Sequence, residues 1–201
     1  MLKIHTLTLG LYQTNTYIIH DEASSSCCVI DPGYEAATIA DKLDALGLTL
    51  DAILLTHGHF DHVGAVKDLA ADTDCRVFVC ADDAHLPPMF TGGPLYYTDS
   101  YAEGSILNIA GLYIHVLHTP GHTPGSVCLL TENALFSGDT LFAGSCGRTD
   151  FPGGSWGQMM DSLTRLSKLE GDLRVLPGHM EDSTLDRERA FNPYMKEAMK
   201  Q

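Results

Sequence analysis

The sequence predicts an α/β protein in which two β-sheets pack face to face and helices cover their outer surfaces. Strand-like and helix-like segments alternate in both halves of the chain, and each half has several strands followed by a strand–helix unit. Sheets and amphipathic helices must bury their apolar sides against each other, and this arrangement lets both do so. The 201 residues are 44% hydrophobic, which suffices for one core, so we expect a single domain over residues 1–201.

In the first half, apolar or alternating runs bounded by Gly, Pro and Asp predict strands at residues 2–9, 15–20, 27–31, 51–56 and 76–80. Apolar residues spaced three and four apart predict helices at 35–46 and 62–71, and Gly47 is the expected C-cap of the first. Residues 87–104 are rich in Pro, Gly, Tyr and Asp, which favours a long irregular segment.

The second half continues with the same two patterns. Strands are expected at residues 105–109, 112–118, 126–131, 134–137 and 173–176. A clear amphipathic pattern predicts a helix from Ser155 to Leu169. Residues 184–200 are also helical in pattern, apart from a break at Asn192-Pro193.

The composition excludes several functions. A formal net charge of −14 argues against a nucleic-acid partner and against an anionic membrane surface, because both would require a basic face. The chain has no transmembrane run, and its N-terminus lacks the apolar core of a signal peptide. Six cysteines without a C-x-x-C pair suggest free thiols in a reducing compartment. We therefore expect a cytoplasmic protein without a nucleic-acid or membrane partner, and leave its oligomeric state open.

The most informative segment reads T-H-G-H-F-D-H, from Thr56 to His62. It places three imidazoles and a carboxylate within six positions, directly after an apolar strand. The loop that leaves a strand is where α/β sheets usually carry their chemistry. Ordinary core hydrogen bonds cannot satisfy so many side chains of this type, whereas metal ions can, and the pattern has room for two ions.

Three further segments share this design. His122 follows strand 112–118 in a G-H-T-P-G-S run, Asp139 follows strand 134–137, and His179 follows strand 173–176. A glycine adjoins each of these residues, and glycine lets the backbone turn sharply and approach an ion closely. The other five histidines have no partner at ligand spacing and are expected to be strand or surface residues: His5, His20, His85, His115 and His118.

Together these motifs resemble those of the metallo-β-lactamase fold hydrolases, in the order H-x-H-x-D-H, G-H-T-x-G-S, S-G-D-T-L-F and P-G-H. The resemblance runs from about residue 14 to 191. It implies an αββα four-layer sandwich with the metals at one edge between the sheets. The G-S-C-G-R-T-D-F run at 144–151 and the D-S-T run at 182–184 look most like the glyoxalase II (hydroxyacylglutathione hydrolase) group.

By this resemblance, two divalent ions would be bound by seven residues. His57, His59 and His122 would hold the first ion, and Asp61, His62 and His179 the second. Asp139 would bridge the two. All these ligands are nitrogen or oxygen donors, which suits Zn²⁺ but also Fe or Mn. The implied activity is hydrolysis of a thioester by a metal-bridging hydroxide, which Asp61 could orient.

Other positions refine this interpretation. Glutamate at position 59 would indicate oxygen-reducing di-iron relatives, and cysteine at 139 the zinc β-lactamases with a cysteine ligand, but the chain has His59 and Asp139. The sequence ends at Gln201, without the C-terminal helical region through which glyoxalase II contacts glutathione, so we expect weaker glutathione selectivity. Arg148, where glyoxalase II has lysine, could bind a substrate carboxylate or form a structural ion pair with Asp150.

Two alternative activities stay open. A mononuclear iron persulfide dioxygenase shares the fold, the H-x-H-x-D-H run and a similar G-R-T-D-F stretch. It would use His57, His122 and Asp139 as a two-histidine, one-carboxylate site. A hydrolase of acyl lactones is the other alternative.

Overall fold

Two six-stranded sheets form the centre of the structure, a computed structural model in which residues 1–200 are described. The strands of the first sheet lie side by side in chain order: β1 (Leu2–Leu9), β2 (Thr14–Asp21), β3 (Ser26–Ile30), β4 (Thr49–Leu54), β5 (Arg76–Cys80) and β6 (Asp99–Tyr101). The pairs β1–β2 and β2–β3 are antiparallel. From β3 to β6 the sheet is parallel, so these strands end at the same edge.

The second sheet has the order β14-β13-β10-β9-β8-β7. Its strands are β7 (Ile106–Ile109), β8 (Leu112–His118), β9 (Val127–Thr131), β10 (Ala134–Gly138), β13 (Arg174–Pro177) and β14 (Ser183–Thr184), and a two-stranded ribbon is formed by β11 (Leu141–Phe142) and β12 (Ser145–Cys146). The neighbours β10 and β13 are parallel. Their carboxyl ends therefore reach one edge of the sheet together.

The helices lie outside the sheets. They are α1 (Ala36–Leu46), α2 (Phe60–Val63), α3 (Val66–Thr73), α4 (Pro88–Thr91), α5 (Trp156–Ser167), α6 (Leu185–Phe191) and α7 (Pro193–Ala198), with a 3₁₀ turn at Ala81–His85. Within residues 1–200 we find no helix with the length and apolar character of a membrane span. The six cysteines are all free, and all but Cys146 are buried.

Three apolar clusters define four layers. Alternate residues of each strand point to opposite faces: on β4, Ala52 and Leu54 face the other sheet, whereas Ile53 faces α1 and α3. The second sheet does the same, with Phe136 directed between the sheets and Leu135 directed towards α5 and α7. The layers thus follow the order αββα, which confirms the predicted fold.

Several predicted boundaries were wrong. The helix expected at 62–71 is two helices, because the chain breaks at Gly64 and Ala65, where the Ala65 N–H donates to the carbonyl of Pro32. The strand expected at 51–56 is two residues earlier. The segment 87–104 was expected to be irregular, yet it contains α4 and the edge strand β6, which is too short to show a pattern.

Candidate metal centre

The structure brings all seven predicted site residues to one edge of the two sheets. The first sheet contributes four of them from the segment after β4, and the second sheet contributes one each after β8, β10 and β13. The seven are His57, His59, Asp61, His62, His122, Asp139 and His179. The site therefore forms only when both sheets are in place.

One group of ligand atoms consists of imidazoles alone. His57, His59 and His122 are buried, and their ring nitrogens lie within 4.8 Å of one another. His59 Nδ1 is 2.8 Å from His122 Nε2. We refer to these three residues as the first group.

A second group combines a carboxylate with two imidazoles. Asp61, His62 and His179 also present ligand atoms within 4.8 Å of one another. His179 Nε2 is 3.2 Å from Asp61 Oδ2 and 3.3 Å from His62 Nε2. These three residues form the second group.

Asp139 lies between the two groups. Its Oδ1 is 3.4 Å from His62 Nε2, and its Oδ2 is 3.4 Å from His122 Nε2. A side chain at Gly178 would enter this space, because its Cβ would lie 2.5 Å from Asp139 Oδ1 and 2.6 Å from the His62 ring. The P-G-H segment requires glycine here so that the backbone can pass close to the ligands.

Hydrogen bonds behind the rings fix which nitrogen faces the site. Nδ1–H of His122 donates to the carbonyl of Arg148 over 2.8 Å, and Nδ1–H of His179 donates to that of Tyr12 over 3.1 Å. His62 donates in the same way to a carboxylate oxygen of Asp31, over 2.9 Å. With Nδ1 engaged in this way, each ring turns its Nε2 towards the shared space, as metal-ligating histidines do.

Two buried atoms of the site have no hydrogen-bond partner, namely His57 Nε2 and Asp139 Oδ1. A buried acceptor left unpaired costs about 1–3 kcal/mol. A divalent cation would satisfy both atoms, and the donor set of imidazole nitrogens and carboxylate oxygens suits Zn²⁺, Fe or Mn. The residues therefore fit the metals that the sequence predicted.

The two groups differ in their proton affinity. Burial and the neighbouring imidazoles hold the pKa of His57 well below its ordinary value and lower that of His59 to about 4. In the second group, burial lowers the pKa of His62, but Asp139, Asp31 and Asp61 together outweigh it and raise the pKa to about 9. The pKa of His179 is also raised, since its hydrogen bond to Asp61 and the charge of Asp139 outweigh burial.

Asp31 is the residue that sequence reasoning missed. It is buried and accepts the backbone N–H of Thr56 over 2.7 Å and the Thr56 hydroxyl over 2.6 Å, in addition to His62. These three donors occupy its oxygens, so Asp31 orients a ligand instead of binding metal itself. A signal was present, because D-P-G follows an apolar strand just as the other site motifs do, but it reads equally as a turn.

A cavity of about 440 Å³ opens onto the ligands and is lined by Tyr12, His59, Phe60, Asp61, His122, Asp139, Phe142, Arg148, Phe151 and His179. This volume suits a small organic substrate. Arg148 stands at its edge, with its guanidinium 3.8 Å above the Phe151 ring. It also donates two hydrogen bonds to Asp150, over 2.7 and 2.8 Å. Both roles considered for Arg148 are thus compatible with its position.

Several other histidines and aromatic residues lie outside the ligand cluster. His118 Nε2 bonds to the carbonyl of Pro124 over 2.8 Å, and His5 stacks against His20. Trp156 packs edge-on against Tyr194. Phe90 contributes indirectly to the cavity wall, since it packs against Phe151.

Comparison with known proteins places this geometry in a family. The family described as the metallo-beta-lactamase superfamily matches residues 9–179. The hydroxyacylglutathione hydrolase GloC of Haemophilus influenzae is 32% identical over 209 residues, covering 96% of this chain and 98% of the relative. The hydroxyacylglutathione hydrolase of Aeromonas salmonicida is 41% identical over 167 residues, which cover 83% of this chain and 61% of that protein.

Solved structures are similar over nearly the whole chain. The BLEG-1 B3 metallo-beta-lactamase has a TM-score of 0.88 at 33% identity, covering 97% of this chain and 99% of that one. TTHA1623, solved in a di-iron-bound form, has a TM-score of 0.84 at 36% identity, with 94% and 99% covered. ETHE1 from Myxococcus xanthus also has a TM-score of 0.84, at 31% identity, with 95% and 83% covered.

Proposed function

The chain belongs to the metallo-beta-lactamase superfamily, and within it we propose that this protein is a binuclear metal-dependent hydrolase that cleaves thioesters of small thiols. One observation carries the proposal: two separate groups of metal-ligand atoms lie on either side of one shared carboxylate, Asp139. A mononuclear site would need only one of these groups. The relatives named hydroxyacylglutathione hydrolase support the thioester as the substrate class.

In this proposal the first group and the second group would each hold one divalent ion, with Asp139 between them. Such ions would supply Lewis-acid chemistry, which lowers the pKa of a bound water towards neutrality and stabilises negative charge on a carbonyl oxygen. Zn²⁺ is the metal we favour, and the di-iron form of a related structure keeps iron in consideration.

The residues of the chain position the reactants. The hydrogen bond from His179 and the charges of His62 and His179 outweigh burial and lower the pKa of Asp61 to about 2. Asp61 is therefore ionised at neutral pH and can accept a hydrogen bond from the attacking water, which would aim it at the substrate carbonyl. A thiolate leaving group has a conjugate-acid pKa of about 8.5, so it departs without a dedicated general acid. This agrees with a cavity in which the acidic and basic side chains are the metal-ligand candidates and Arg148.

Arg148 is our candidate for binding the substrate. Of the side chains that line the cavity, Arg148 carries the permanent positive charge. A guanidinium can bind a carboxylate through two parallel hydrogen bonds. The pair with Asp150 presents the guanidinium in a fixed orientation, and an anionic substrate would compete with Asp150 for it.

The test combines metal analysis with a substrate panel. We expect close to two ions per chain after reconstitution, and turnover of small S-acyl thiols that exceeds turnover of acyl lactones and β-lactams. One equivalent of iron, with oxygen uptake on a persulfide and no thioester hydrolysis, would instead establish the dioxygenase. Turnover of a lactone or β-lactam alone would place the protein in another hydrolase class.

A further inference from the structure

A second buried carboxylate, Asp83, lies outside the ligand cluster and outside the cavity. It sits in the 3₁₀ turn after β5 and is completely buried, whereas its neighbour Asp82 is 62% exposed. Burying a charged carboxylate is costly unless hydrogen bonds compensate. The hydrogen-bond partners of Asp83 therefore indicate its structural role.

All three hydrogen bonds to the Asp83 carboxylate come from the two loops that carry the first group. The backbone N–H of Gly58, which lies between His57 and His59, donates to Oδ2 over 2.8 Å. The hydroxyl of Thr123, the residue after His122, donates to the same oxygen over 2.9 Å.

The third donor is the backbone N–H of Gly125, which reaches Oδ1 over 2.6 Å. Thr123 is itself fixed by Ser126, whose Oγ accepts the Thr123 backbone N–H over 3.0 Å. The carboxylate thus joins a loop of the first sheet to a loop of the second, and these loops hold all three imidazoles of the first group.

The close packing of Gly125 against Asp83 leaves little room for the two loops to move relative to each other. A Cβ at Gly125 would lie 2.6 Å from Asp83 Oδ1 and 2.8 Å from the Asp83 backbone nitrogen. Each oxygen of Asp83 accepts a backbone N–H, Oδ2 from Gly58 and Oδ1 from Gly125, so a carboxylate matches both donors. An asparagine would place its NH₂ group opposite either the Gly125 N–H or the donors of Gly58 and Thr123, and an NH₂ group cannot accept a hydrogen bond from them. The second group receives no hydrogen bond from Asp83.

We infer that Asp83 is a positioning residue that sets the distance between the His57–His59 loop and the His122 loop, and thereby the metal affinity of the first group alone. The inference rests on the metal site of the proposed function. Residues behind metal ligands typically change metal affinity by about 10–100-fold when they are mutated. Asp83 bonds to residues beside the ligands and not to the ligands themselves, so it acts on them through the backbone of both loops.

The test uses proteins that keep only one group. His179→Ala disables the second group and His59→Ala disables the first, and Zn²⁺ affinity is measured by competition with a chromophoric chelator. Adding D83N should weaken Zn²⁺ binding at least about tenfold in the His179→Ala protein and leave it unchanged in the His59→Ala protein. D82N, which removes the same charge one residue away, should change neither.

T123V is the milder variant, because it removes one of the three hydrogen bonds to Asp83, together with the 2.8 Å contact between the Thr123 hydroxyl and Ser126 Oγ, and nearly preserves the side-chain shape. It should give a smaller loss in the His179→Ala protein, and it carries the test if D83N does not fold. Equal weakening in both single-group proteins, or no weakening in the His179→Ala protein, would overturn the inference. Since the readout is Zn²⁺ affinity, a wild-type protein that fails to hydrolyse thioesters would refute the proposed function and leave this test valid.

Discussion

The first and second groups lie on either side of Asp139, and their ligand atoms are similarly spaced, but the electrostatic surroundings of the two groups are opposite. In the first group, burial and mutual repulsion of the imidazoles lower the pKa of His57 and His59. In the second group, Asp31, Asp61 and Asp139 surround His62, and the pKa of His62 is raised to about 9.

This difference bears on how the protein would take up metal. A metal binds the neutral imidazole, so a ligand that is protonated must first release its proton. His57 and His59 are already neutral at pH 7, so neither has to release a proton before an ion binds. In the metal-free protein His62 is protonated at pH 7 and acts as a cation among the carboxylates, and the incoming ion replaces that positive charge.

The largest effect should follow from removing a ligand of the second group. His179→Ala should leave one tightly bound ion per chain and lower thioester hydrolysis about 1,000-fold, because the second ion contributes ~4 kcal/mol to the transition state. Elemental analysis and initial rates measure the two results. His115→Ala, which removes an exposed imidazole on β8 away from the cluster, is the control. Full hydrolysis with a single ion would show that the second group is not needed for catalysis.

The second prediction concerns pH. Between about pH 8 and pH 6, Zn²⁺ affinity of the second group should fall about tenfold per pH unit, because His62 with a pKa of about 9 must lose one proton before it binds. The first group should show no such slope from His59, whose pKa is about 4. His59→Ala and His179→Ala proteins report the two groups separately. Parallel pH profiles would contradict the proposed electrostatic difference.

The convergence of the seven candidate ligands could be predicted from sequence because each follows a strand end beside a glycine or within one dense motif. The residues behind them could not. Asp31 has the sequence context of a turn and Asp83 that of a surface D-D pair, and only the packing of two sheets reveals that both are buried. The helix break at Gly64 and Ala65 was missed for the same reason, because it depends on a hydrogen bond to Pro32, which is remote in sequence.

The cavity edge was the least predictable part. Arg148 and Asp150 lie two residues apart on a glycine-flanked loop, where such neighbours can pair, and the sequence could not distinguish a structural pair from a substrate contact. The structure shows the ion pair and also places Arg148 on the cavity. The αββα layering, by contrast, followed from patterns that extend over whole strands and helices.

Asp31→Asn should affect the second group more than the first. The two carboxylate oxygens of Asp31 accept hydrogen bonds from Thr56 and His62. The variant replaces one of these oxygens with an NH₂ group, so the orientation of His62 is lost. We expect about 30-fold weaker Zn²⁺ binding in the His59→Ala protein, in the range typical of such partners. Thr56→Val keeps the His62 contact but removes a hydroxyl that lies 3.1 Å from His57 Nδ1, so its smaller effect on the second group is the comparison. Equal losses in the two single-group proteins would mean that Asp31 supports the fold as a whole.

The smallest effect is expected at Arg148, which belongs to neither group. Its side chain is 54% exposed, so solvent screens its interactions, and exposed ion pairs contribute little. Arg148→Ala should raise KM for a carboxylate-bearing thioester about fivefold without changing kcat or the number of bound ions. Asp150→Asn is the matched control: it frees Arg148 from its partner and should lower KM for the same substrate, because the guanidinium no longer has to exchange one carboxylate for another. A thioester without a carboxylate should respond to neither variant. If both variants raise KM for both substrates, the Arg148–Asp150 ion pair stabilises the loop at 144–151, and the substrate is bound elsewhere in the cavity.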